Sequence, residues 1–75
     1  SLADKLFNAR AILRDFLQVG DDVWTRFQSG RDGQLWYYRE LADRFNVLMP
    51  GRMAGELIDV VSELERTANT PKQNG

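Results

Sequence analysis

Glu40 and Asp43 stand three residues apart in the stretch YYRELADR, a spacing that puts two carboxylates on one helix face, as a general acid and base would require. Arg39 and Arg44 flank them, so a solvated ion-pair network is expected rather than a catalytic dyad. Asp21 and Asp22 precede Val23 and Trp24, where carboxylates cap a helix and complement its dipole. The chain has neither histidine nor cysteine, which removes the commonest general base, the thiolate nucleophile and the usual transition-metal ligands. The loop GRDG, residues 30–33, lacks the length and the lysine of a phosphate-binding loop. The expectation is a protein that is not an enzyme, with no catalytic residue, no cofactor and no metal.

Contact chemistry is better represented. GQLWYYREL, residues 33–41, sets Trp36, Tyr37 and Tyr38 side by side, and tryptophan, tyrosine and arginine dominate interface energetics. At 100° per residue, a helix through this stretch groups Tyr38 with Leu41, Ala42 and Phe45 as a core face, with Leu35 at its margin. Tyr37 then falls on the rim beside Leu41 and Arg44, and Trp36 falls nearly opposite the core among Arg39, Glu40 and Asp43. Two readings of Trp36 follow. It turns back to cover the core beneath the preceding SGRDG loop, or it stands outward as an anchor for a partner. Phe7 and Ile58 lie off the apolar stripes of their own helices, and three large off-stripe residues on so short a chain suggest a second interface. The candidate contact set is Trp36, Tyr37, Arg39, Arg44 and Ile58, facing another protein or a copy of the chain itself. The acidic side of the last helix is a second candidate.

Those residues need a frame. Leu2, Leu6, Ala9, Leu13 and Phe16 recur at spacings of 4, 3, 4 and 3 with Leu17 beside them, which predicts a helix over 2–18. Ser1 and Asp4 open it as a capping box and Gly20 stops it. A short second helix is expected to carry Val23, Trp24 and Phe27. SGRDG reads as a break, with Asp32 capping a third helix from about Gln34 to Phe45 that ends at Asn46. NVLMPG is a connector anchored by Val47 and Leu48, and Pro50 suits the first turn of a fourth helix. Met53, Leu57, Val60 and Leu64, with Val61 beside them, give that helix an apolar stripe as far as about Thr67. The frame expected is a compact all-α bundle of four or five short helices, with one domain over 1–68 and a flexible tail over 69–75.

Seventy-five residues bury only about 60% of the surface their unfolded chain exposes, so the core is thin. Ten basic and eleven acidic residues leave a net charge of −1 with no block of like charge, which dictates neither a nucleic-acid nor a membrane surface. Arginine outnumbers lysine eight to two, a bias toward forked interface contacts that a GC-rich genome also produces. No stretch is apolar for long enough to span a bilayer and no signal-peptide pattern opens the chain, so a soluble, cytoplasmic protein is expected. Ser1 in place of an initiator methionine points to a processed form or an excised domain.

Residues 37–66 resemble the helix-turn-helix regions of bacterial regulators. ELADRFNV is similar to their first helix and turn, and RMAGELIDVVSELER stands where the recognition helix would. The resemblance implies DNA binding, with Arg39, Arg44 and Arg52 as phosphate contacts. Over residues 12–64 the order FLQVG, VWTRF, DGQLW, NV, PGR and a final amphipathic helix is similar to sterile-alpha-motif domains, which implies binding to one another or to other proteins. DGQLWYY resembles colicin-type immunity proteins, in which paired tyrosines meet the bound nuclease. The outward positions of the last helix include Glu56, Asp59 and Glu63, which phosphates would repel. The leading expectation is therefore a small, non-enzymatic, regulatory protein–protein interaction domain, with a helix-turn-helix DNA-binding regulator as the alternative.

Overall fold

Ser1 opens the first helix as its sequence predicts, its hydroxyl accepting the Asp4 N–H at 3.3 Å. In the computed structural model, which describes residues 1–70, helix α1 spans Leu2–Val19 and buries Leu2, Leu6, Ala9, Ile12 and Phe16. The buried stripe is rotated toward Ile12, so Leu13 only flanks the core and Leu17, expected to widen it, is exposed. Gly20 ends α1 at φ +68° and ψ −145°, a conformation open essentially to glycine alone.

The short second helix is not α-helical. Gly20–Arg26 is a 3₁₀ segment with Asp21 and Asp22 in its first turn. Its tight winding delivers Val23 and Trp24 together into the core, where Trp24 tilts against Phe16 at a centroid distance of 5.3 Å. Phe27 follows in extended conformation, partly buried.

Helix α2 spans Gly30–Leu48, beginning before Gln34 and continuing past Asn46. Gly30, at φ +70°, lets the chain turn straight into the helix, so SGRDG is mostly first turn rather than loop. Ser29 accepts the Gln34 side-chain amide at 3.0 Å instead of capping the backbone, and Asp32, expected as the cap, lies inside the first turn paired with Arg31. Asn46 tolerates a left-handed stop but does not impose one. The stop comes at Met49, since the residue before a proline is displaced from helical geometry. Val47 and Leu48, expected as connector anchors, are thus the exposed last turn of α2. Pro50 stays outside the next helix: Gly51 is its N-cap, and α3 spans Arg52–Asn69.

α3 is the central element. Its Ala54, Leu57, Val61 and Leu64 are sealed from solvent, each leucine or valine contributing about 1.5–3 kcal/mol, while Met53 is exposed and Val60 half-buried. α1 covers one side and runs in the same direction, with Arg10 reaching Glu56 at 3.0 Å and Phe16 nearing the Thr67 end. α2 covers the other side in the opposite direction, since Arg31 bonds the Ala68 carbonyl and Arg39 bonds Ser62. The 3₁₀ segment packs against both α1 and α2. The all-α frame therefore consists of three α-helices and one 3₁₀ segment, with no strand among the described residues. None of these helices is long and apolar enough to cross a membrane. Of the tail expected over 69–75, Asn69 belongs to α3 and 71–75 lie outside the described residues.

Candidate functional site: the outward face of α2

α2 carries two faces. Toward the core it presents Tyr38 and Ala42, with Leu35, Leu41 and Phe45 packed at the edges. Around the helix the aromatic triplet then divides: Tyr38 is 7% exposed, Tyr37 40% and Trp36 66%. Trp36 does not turn back over the core, because the segment it would fold beneath is itself the first turn of α2.

Outside, two shallow depressions adjoin each other. Trp36, Tyr37, Glu40, Leu41 and Arg44 line one, and Asp43, Arg44, Val47 and Leu48 line the other. Arg44 is common to both. At 100° per residue, Trp36, Val47, Glu40, Arg44, Tyr37, Leu48 and Leu41 share an arc of about 140°, and the patch runs about 18 Å along the axis. Val47 and Leu48 are 77% and 76% exposed, so aromatic rings stand at one end of the patch and aliphatic side chains at the other. Lys5 of α1 reaches over the Tyr37 ring with its ammonium 5.8 Å from the centroid, within cation–π range.

The candidate residues do not all gather on this face. Arg39 lies at its edge, half-buried, and its guanidinium is engaged by α3: Nε and Nη2 donate to Glu65 at 3.0 and 2.7 Å, and Nη2 donates to Ser62 at 3.0 Å. Asp43 sits 3.5 Å from the same group. Hydrogen bonding from Arg39 holds the Glu65 carboxyl below the usual glutamate range, and the reciprocal bond raises Arg39. Half of the expected ion-pair network therefore exists, as Arg39 with Asp43. Glu40 and Arg44 take no part in any ion pair among the described residues.

Ile58 is a correction. It packs against the core on the side of α3 that also carries Ser62 and Glu65, which α2 covers. The off-stripe assignment assumed one neighbour for α3, and it has two. Phe7 remains exposed on α1. Arg52 is exposed at the opposite end of the α2–α3 pair from the Arg39–Glu65 contact, about 15–20 Å along α3 at 1.5 Å per residue. Tyr38, whose hydroxyl is raised in pKa by burial, is separated in role from Tyr37.

Leu41, Val47 and Leu48 were not among the candidates. Their signal was present: Tyr37, Leu41, Arg44 and Leu48 recur at spacings of 4, 3 and 4, a second stripe beside Leu35, Tyr38, Ala42 and Phe45. Ending the helix at Asn46 concealed Val47 and Leu48, whereas Leu41, read as core, is partly packed against it while lining the outer depression. Among the described residues no three metal-ligating side chains come together. Comparison of the chain with family models, curated proteins and solved structures returns no match. The three resemblances therefore rest on their quoted motifs alone.

Proposed function

We propose that this chain is a small, non-enzymatic protein–protein interaction domain that binds through the outward face of α2. The observation that carries the reading is Trp36, 66% exposed at the head of an apolar face whose helix already buries its other side. An indole in water is a reservoir of apolar area, and aromatic anchors of this kind are typical interface hot spots. Tyr37, Leu41, Val47 and Leu48 extend the surface, and Arg44 supplies a forked donor at its middle. Arg39 contributes indirectly, fixing α2 against α3.

The helix-turn-helix alternative is less well supported. Its phosphate-contacting arginines are dispersed, with Arg39 already neutralised by Glu65 and Arg52 far along α3. α3, the recognition helix in that reading, is flanked on both sides, with Glu56 paired to Arg10 of α1 and Asp59 exposed on the remaining surface. DNA affinity comes largely from neutralised phosphates and falls steeply with salt. Capture of binding partners with wild type and with Trp36→Ala, alongside titration with nonspecific duplex DNA at low salt, tests the proposal. Partners lost from the variant and no DNA binding at micromolar protein are expected. Salt-sensitive DNA binding that survives Trp36→Ala overturns it.

A further inference from the structure

The outward face of α2 has a symmetry that identifies one occupant. Glu40 and Arg44 are the only charged residues at its centre, they carry opposite charge, and neither is in an ion pair among the described residues. A second α2 laid antiparallel across the first, with the two-fold axis level with Ala42, brings together positions whose numbers sum to 84. Tyr37 then meets Val47 of the second copy, and Glu40 meets its Arg44, each contact occurring twice. The same register lays the aromatic end, Trp36 and Tyr37, over the aliphatic end of the opposing helix, where Val47, Leu48 and Met49 are exposed. The positions 37, 40, 44 and 47 follow the 3–4–3 spacing of an antiparallel helix pair.

We propose that this face pairs with itself, so that a second copy of the chain is the partner and the Glu40–Arg44 contacts fix the register. The inference rests on the interaction-domain reading and names its partner. A polar layer in the middle of an otherwise apolar helix pair penalises sliding, because a shifted register separates the opposite charges and sets one of them against an apolar side chain. Slippage by one heptad would place Arg44 over Val47 in one direction and Glu40 over Tyr37 in the other. Near the axis Leu41 approaches its own copy on one flank and Asp43 on the other. Arg39, 3.5 Å from Asp43, offsets that like-charge approach. The net charge of −1 per chain adds little general repulsion.

Charge reversal tests the register. Glu40 and Arg44 are exposed and make no ion pair or side-chain hydrogen bond among the described residues, so Glu40→Arg, Arg44→Glu and the double swap should all keep the wild-type helical circular dichroism. In sedimentation equilibrium wild type should pass from monomer to dimer between about 10 µM and about 1 mM, the range of a small interface. Each single reversal puts two like-charge pairs face to face and should weaken dimerisation by about tenfold or more, whereas the double reversal rebuilds both pairs and should restore it. Wild type that stays monomeric at about 1 mM overturns self-pairing. If partner capture still depends on Trp36 in that case, the interaction reading stands with a different partner. A dimer indifferent to single reversals, or not rescued by the double one, overturns this register.

Discussion

One leucine and two tryptophans divide sharply in their importance for folding. Leu57 is wholly enclosed between α1 and α2, so Leu57→Ala removes its transfer free energy and leaves a cavity, a loss of about 2–5 kcal/mol. In a 75-residue domain that is a large part of the total stability. Trp24, 5% exposed against Phe16, belongs with it. Trp36 touches little of its own chain, so Trp36→Ala should change stability by no more than about 0.5 kcal/mol. Urea denaturation of Leu57→Ala and Trp36→Ala measures the contrast. Comparable losses in the two variants would mean that Trp36 packs within the fold, and the contact face would lose its anchor.

At the scale of elements, α2 is tied to α3 at two polar points over an apolar seam, Arg31 at the Ala68 carbonyl and the clamp of Arg39 at Glu65. Arg39 forks onto Glu65 and takes Ser62 as a further acceptor, while Ile58, on the same side of α3, is partly buried against the core. Both charged groups are about one-third exposed, so solvent screening limits the clamp to about 1 kcal/mol. Because Arg39 holds the folded-state pKa of Glu65 below the ordinary 4.5, the clamp's contribution is present in full above that value. It is lost as pH falls through the lowered folded value. Glu65→Gln should therefore be less stable than wild type near neutral pH, and the two should converge in acid below 4.5. Urea midpoints across that range read the difference. A gap that persists unchanged into strong acid would assign the loss to packing rather than charge.

For the whole molecule, what the sequence revealed follows from how local each determinant is. The stripes at 3–4 spacing identified α1 and α3 because one buried face is a property of a single helix, and the angular order of Trp36, Tyr37 and Tyr38 was legible for the same reason. Ile58 was not, because its burial depends on how many neighbours α3 acquires. The 3₁₀ form of Gly20–Arg26 was hidden too, since composition does not distinguish it from a short α-helix. The contact face was half legible: its aromatic end stood out, and its aliphatic end lay beyond a misplaced helix terminus. These facts bear on stability as well. A domain with so thin a core gains from any surface that native chains bury together, and linkage makes that gain depend on concentration. For a native dimer unfolding to two chains, each tenfold rise in concentration above the dissociation constant adds about 1.4 kcal/mol per dimer, or about 0.7 per chain. For a domain of this size that corresponds to a Tm rise of about 3–5 °C per tenfold. Arg44→Glu, which opposes pairing, should show a flat Tm over the same range, and Glu40→Arg combined with Arg44→Glu should recover the slope. Calorimetry at several concentrations separates this from a fold that is simply marginal: a marginal monomer melts at one temperature whatever its concentration, and that result would remove self-association from the account of stability.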